Sequence, residues 1–192
     1  MKFEIVEFQT IDRNFVSEII WGWWSRVYEY PLVINKISQF FNTDLIEIHN
    51  TSWGFGPQHI IFKWLLEKKF KAIVNSDINH SNQPNTIIYD ILRPPAPEFL
   101  EKFSIVLNIS TIEELSPELQ ITAFKNLLAM TCKGGLIIAT FDIPGINMES
   151  FESLFRMKFT VTSSPITGIN SIFPDYRFKD LRCGYFVVKR IE

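Results

Sequence analysis

The chain has 192 residues, 46% hydrophobic and 21% charged, with 18 phenylalanines. That supports one domain with an aromatic-rich core and excludes a disordered chain or an acidic tail. A formal charge of −2, from 19 Lys and Arg against 21 Asp and Glu, excludes broad electrostatic capture of nucleic acid or of an anionic membrane.

The opening stretch, residues 1–7, carries acids too early for a signal peptide. No apolar run approaches the ~20 residues that cross a bilayer, so the expected address is the cytoplasm, with no membrane partner. From Ile11 to Phe41 the pattern is helical in pieces, with Ile19, Ile20, Trp23 and Trp24 at helical spacing. Pro31 is expected to open a second helix whose stripe is Leu32, Ile34, Ile37 and Phe40 or Phe41. Asn42-Thr43-Asp44 is a turn signal, so residues 1–44 read as an N-terminal helical segment and 45–192 as the main body of one compact domain.

A different rhythm follows. Leu45 to His49 reads as a short strand, Asn50 to Gly56 as a polar turn, and Pro57 as the first residue of a helix that continues to Lys69. In that helix Ile60, Ile61, Trp64 and Leu65 share one face. Strands are expected at 71–77 and 86–90, separated by a polar loop. The stiff segment Arg93 to Pro97 leads into a brief helical stretch at 98–101. A fourth strand at 103–109, an amphipathic helix over 117–131, the turn Lys133-Gly134-Gly135 and a fifth strand at 136–141 come next. A helix at 148–155 and two late strands, 159–162 and 185–189, complete the pattern. Strands alternating with helices imply a three-layer α/β fold, a seven-stranded and mostly parallel sheet with an antiparallel edge.

Open parallel sheets bind ligands beyond the carboxyl ends of their strands. The polar residues expected there are Glu47, His49 to Ser52, Asp77, Asp90 and Asn108 to Thr111. Taken singly, Asp77 or Asp90 reads equally well as a cap or a loop hydrogen-bond partner. Taken together, a turn after the first strand and an acid after each of the next two point to a nucleoside site. A carboxylate at the second strand end accepts both ribose hydroxyls, and a group near the third meets the adenine edge. Ile78, Ile91 and Leu92 are placed to sandwich the base.

These segments resemble the class I S-adenosylmethionine-dependent methyltransferases. The resemblance covers about Leu45 to Lys189 and rests on LIEIHNTSWGFG (45–56), AIVNSDIN (72–79), TIIYDIL (86–92), FSIVLNISTIEEL (103–115) and LLAMTCKGGLIIATFDIP (127–144). The last two are its most specific pairing, and the closing CGYFVVKR (183–190) also resembles the last strand of small members. It implies a Rossmann-like domain over 45–192, a lid or cap over 1–44, and S-adenosylmethionine as cofactor. Glu47 matches the acid beneath the cofactor, Asp77 the ribose acid, Asp90 with Ile91 the adenine contact, and Asn108 with Ile109 the methionine end. Asn50 and Ile78 border these positions, and Arg26 and Tyr30 in WSRVYEYP (24–31) resemble a segment that folds over the cofactor. One departure stands out. The family's three glycine places fall on His49, Thr51 and Trp53, which puts an imidazole beside the cofactor in place of bare backbone.

The implied reaction is methyl transfer to a small-molecule or sugar-type acceptor, by a monomer or a homodimer. No general base is assigned; His49 and Asp142 are the candidates, and Glu113 and Glu114 read as the solvated start of a helix or, for one of them, as facing an acceptor pocket. The altered first motif supports a second reading, an inactive methyltransferase fold that serves as a binding or scaffold protein. A nicotinamide oxidoreductase would need GxGxxG after the first strand, and a nucleic-acid methyltransferase a basic face or an Asn-Pro-Pro-Tyr signature where NIST (108–111) stands. His49, His59 and His80 show no metal-ligand spacing, His59 is expected at the surface or as a cap, and Cys132 and Cys183 read as small buried hydrophobes.

Overall fold

The computed structural model describes residues 2–10, 26–41, 46–52, 57–70, 72–78, 86–143, 145–159 and 182–192. Seven strands form one sheet: β1 Phe3–Thr10, β2 Glu47–Asn50, β3 Ala72–Asp77, β4 Thr86–Ile88, β5 Phe103–Ile109, β6 Thr131–Ile143 and β7 Arg182–Arg190. Their order is β1-β7-β6-β5-β2-β3-β4. The strands β2 to β6 are mutually parallel, and β7 runs antiparallel to both β6 and β1. Among the described residues four α-helices cover the sheet: α1 Arg26–Phe40, α2 Pro57–Lys69, α3 Pro117–Met130 and α4 Met148–Phe155. The expected three-layer, mostly parallel α/β architecture is the one observed.

Each face has its own core. On one side α1 and α2 bring Tyr30, Val33, Ile37, Phe62 and Leu66 onto Ile48, Ile105, Leu107, Ile109 and Ile138. On the other, α3 and α4 bring Phe124, Leu127 and Phe151 onto Val106, Ile137, Phe141 and Phe186. Strand alternation divides one sequence between these two cores, which is why the centres of β5, residues 105–107, and β6, residues 136–139, read as unbroken apolar runs. Phe186 is the hub of an aromatic cluster, its ring centroid 4.6 Å from Phe141, 5.2 Å from Phe151 and 5.5 Å from Phe155. A Cβ on Gly184 would stand 2.7 Å from the Phe141 ring, so that close approach requires glycine.

Several details differ from the sequence expectation. Residues 3–10, expected within a helical N-terminal segment, form an edge strand in which Phe3, Ile5 and, beyond a bulge, Phe8 pack on the core. The edge position beside β7, expected for 159–162, is therefore held by β1. Of that segment only Phe159 is described, stacked on Phe8 at 4.3 Å and outside any strand. Pro31 does not open a helix but lies inside α1, five residues after its start. Tyr30 stacks on Phe62 at 4.2 Å, and this buried anchor holds the turn helical although the proline donates no hydrogen bond.

The largest difference is the face of α2. Ile60, Ile61 and Trp64 point to solvent, 55%, 45% and 53% exposed, while His59, Phe62, Lys63 and Leu66 turn inward. The inward polar groups are bonded: His59 Nδ1 meets Tyr30 Oη at 3.3 Å, and Lys63 Nζ donates to Thr86 Oγ1 at 2.5 Å. Burial therefore follows the partners that α1 and β4 supply, and the apolar stripe alone does not predict it. His59, expected at the surface, is 5% exposed for the same reason. The group expected at helical spacing, Ile19, Ile20, Trp23 and Trp24, lies outside the described residues.

Candidate functional site

Parallel strands end at one pole, so β2, β3 and β5 present Asn50, Asp77 and Ile109 on the same side of the molecule. There the turn leaving β2 is tied to its neighbours through side chains. Asn50 Nδ2 donates to Asn75 Oδ1 at 3.0 Å, and Asn50 Oδ1 accepts from the Ser52 hydroxyl at 2.5 Å. The Thr51 amide and hydroxyl both donate to the Leu107 carbonyl, each at 2.9 Å. Asn108 Nδ2 donates to Thr51 Oγ1 at 2.9 Å, and the Ile109 amide donates to Ser52 Oγ at 3.1 Å. Side chains thus occupy the first two glycine places of the expected motif, and the amides of Thr51, Ser52, Ile109 and Ser110 all bond within the protein. The third place, Trp53, lies outside the described residues.

His49 is enclosed. It is 0% exposed, with ring centroids of Phe103, Phe99 and Tyr89 at 4.7, 5.4 and 5.9 Å. Nε2 meets Ser76 Oγ at 2.9 Å, and Nδ1 has no hydrogen-bond partner among the described residues. Burial, with a smaller contribution from the Lys102 charge, pushes its pKa down to about 3, so the ring is neutral at neutral pH.

Asp77 ends β3, half-buried, beside Ile78, which is 60% exposed. The Asp77 and Glu67 carboxylates favour the charged form of Lys63, but burial is larger and lowers the lysine pKa. Asp90 closes its own turn: Oδ1 accepts from the Leu92 amide at 2.9 Å, and Arg93 Nε lies 3.7 Å from Oδ2. The neighbouring Tyr89 hydroxyl donates to the Arg93 carbonyl at 3.0 Å. Its pKa is pushed up to about 12 by burial and then by the Asp90 charge.

The structure gathers Asn50, Asp77, Ile78 and Asn108 at the strand ends. It places His49, Ile91, Ile109 and Tyr30 within the two cores, and Glu47, half-buried, at the start of β2. Arg26 begins α1, but its side chain is outside the described residues. Two residues were missed as participants. Lys63 lies above the β3–β4 pair. Glu29, 0% exposed, accepts the Ser110 hydroxyl at 2.7 Å. No spacing in the sequence marks either one, because the contacts join segments far apart in the chain.

Beyond β6, the Asp142 amide donates to Glu113 Oε1 at 3.1 Å and Cys183 Sγ donates to Asp142 Oδ1 at 3.3 Å. Cys183 is buried as expected, whereas Cys132 is only half-buried. Among the described residues no helix is long and apolar enough to cross a membrane, and no group of three His, Cys, Asp or Glu side chains is placed to hold a metal ion.

The chemistry of the pole is that of acceptors. Asp77 supplies a carboxylate, and Asn108 Oδ1 is buried without a partner among the described residues. That set suits a ligand rich in donors, such as a ribose diol or an ammonium group. The half-buried Asp77 carboxylate suits the ribose diol of S-adenosylmethionine.

No family model matches the chain, and no curated protein sequence matches it. Solved structures do. The [4+2]-cyclase SpnF is 10% identical with a TM-score of 0.61, over 95% of this chain and 87% of its own. The 1,6-didemethyltoxoflavin-N1-methyltransferase of Burkholderia thailandensis, solved with S-adenosylhomocysteine, is 8% identical with a TM-score of 0.57, over 88% of this chain and 79% of its own. The trans-methyltransferase CalH, also with S-adenosylhomocysteine, is 10% identical with a TM-score of 0.56, over 87% of this chain but only 57% of its own. The chain has the class I methyltransferase fold, and a cyclase among its likenesses shows that this fold carries more than one reaction.

Proposed function

We propose that this protein binds S-adenosylmethionine across the ends of β2, β3 and β5 and transfers its methyl group to a small-molecule or sugar-type acceptor. The observation that carries this reading is Asp77, half-buried at the end of β3 beside the exposed Ile78, in a sheet of this strand order. Asp77 would accept the ribose hydroxyls and Ile78 would offer an apolar face to the base. Arg26 is assigned to the carboxylate. The bound cofactor supplies an electrophilic methyl carbon on sulfur. The protein supplies alignment and a dry surround, for which the packed ends of β2 and β5 are suited. Asp142, at the end of β6, faces the acceptor side in this reading.

A second reading has its own support. His49 and Thr51 stand at glycine places with their side chains bonded inward, which suits a fold that binds without transferring. Calorimetric titration with S-adenosylhomocysteine tests the cofactor site that transfer requires, and transfer of labelled methyl from S-adenosylmethionine across an acceptor panel separates a transferase from a fold that only binds. Methyl transfer predicts micromolar binding that weakens at least about ten-fold in Asp77→Ala, the worth of one good charge-assisted hydrogen bond. No binding by wild-type protein with a cooperative thermal transition would overturn the proposal and favour the scaffold.

A further inference from the structure

The residue leaving β5 is Ser110, and its backbone is left-handed, with φ of 42°. Glycine takes that conformation freely, while a residue with a Cβ takes it against steric resistance. Here the serine hydroxyl is in use. It donates at 2.7 Å to Oε1 of Glu29, a carboxylate with no solvent exposure. Charged side chains are seldom fully buried, and those that are usually serve a specific partner. The turn is held on its other side as well, because the Ser110 amide donates to the Thr140 carbonyl of β6 at 3.0 Å.

What this turn fixes lies next to it. Asn108 and Ile109 precede Ser110 and are bonded to Thr51 and Ser52. Thr111 follows it, and its hydroxyl donates to the Thr51 carbonyl at 3.3 Å. The end of β5 is thus clamped between the β2 turn and α1, with the unpartnered Asn108 Oδ1 held in place. We propose that Glu29 and Ser110 are a positioning pair: the buried carboxylate holds the strained turn, and the turn holds the ligand-facing ends of β2 and β5 in register. A strained residue at a strand end suits such a role, since strain persists only where the surroundings over-determine it. The ligand part of this inference rests on the function proposed above.

The discriminating variant is Ser110→Gly, which removes the hydroxyl and relieves the backbone. A purely structural serine predicts lost stability with wild-type affinity in the molecules that remain folded. The positioning pair predicts about ten-fold weaker S-adenosylhomocysteine binding well below the variant's own thermal midpoint, where the loss of the bond to buried Glu29 no longer enters. Glu29→Leu is expected to weaken binding similarly, with no further loss in the double variant. Glu29→Gln, which keeps an oxygen to accept the hydroxyl, is expected to recover most of it. Amide hydrogen exchange supplies a readout independent of ligand. Ser110→Gly should exchange faster at residues 50–52 and 108–111 and at the wild-type rate in α3. Unchanged exchange at those strand ends overturns the pair, as does wild-type affinity in Ser110→Gly. Absent binding by wild type overturns the proposed function instead, and the exchange experiment still decides the pair.

Discussion

His49 shows how one residue's surroundings decide its chemistry. In sequence it occupies a glycine place beside a ligand loop. In the fold its ring fills a space bounded by Phe99, Phe103 and Tyr89, and a single bond to Ser76 orients it. Its folded pKa of about 3 lies below the ordinary 6.5, so the unfolded chain binds the proton first as pH falls. Stability associated with neutral His49 is fully present above pH 6.5 and is lost as pH falls from there toward 3. At pH 5 the loss is about 2 kcal/mol relative to pH 7. Urea unfolding at both pH values should show that difference in wild type, and a clearly smaller one in His49→Phe. An equal pH response in the two proteins would assign the effect elsewhere. The same enclosure argues against His49 as a general base: an imidazole held neutral with no exposed surface has no route to an acceptor among the described residues.

At the scale of elements, α2 and the Phe186 cluster set a contrast between apolar residues that pack and apolar residues that do not. Phe186 is 0% exposed amid the rings of Phe8, Phe141, Phe151, Phe155 and Phe159. Phe186→Ala should destabilise by about 3–5 kcal/mol, through lost transfer energy and the cavity that remains. Trp64 is equally large but half exposed, with Lys68 Nζ 4.4 Å from its ring centroid. Trp64→Ala should change stability by less than about 1 kcal/mol. Denaturant midpoints of the two variants check this directly. A large loss at Trp64 would mean that its face is covered in solution. The helices themselves were legible from their periodicity. Which side of α2 packs was not, because His59 and Lys63 become good interior residues only once Tyr30 and Thr86 are brought to them.

At the scale of the whole molecule, the two chain ends are joined. β1 pairs with β7 along its length, and Lys2 Nζ lies 3.0 Å from a Glu192 carboxylate oxygen. Tyr185 donates to Glu7, and Glu7 also receives Lys36 at 2.7 Å, so strand, sheet and α1 meet at one half-buried point. Removing residues 2–10 would uncover the β7 edge and leave Lys36 and Tyr185 without their shared acceptor. The truncated protein should unfold at lower urea than wild type and self-associate in size-exclusion chromatography. A monomer of unchanged stability would show that β1 is dispensable.

The α/β class, the mutually parallel run β2 to β6 and the strand ends where polar residues collect are all readable from the residues alone, because they follow from short-range periodicity and from turn chemistry. Asp77 was legible as a candidate for the same reason, as an acid that follows an apolar strand. Only the tertiary structure decided that Phe3–Thr10 closes the sheet, that α2 turns its aliphatic stripe to solvent, and that Glu29 reaches Ser110 from 81 residues away. Each of these depends on a partner distant in the chain. Periodicity records what a residue prefers, whereas burial and hydrogen bonding record what the fold brings to it.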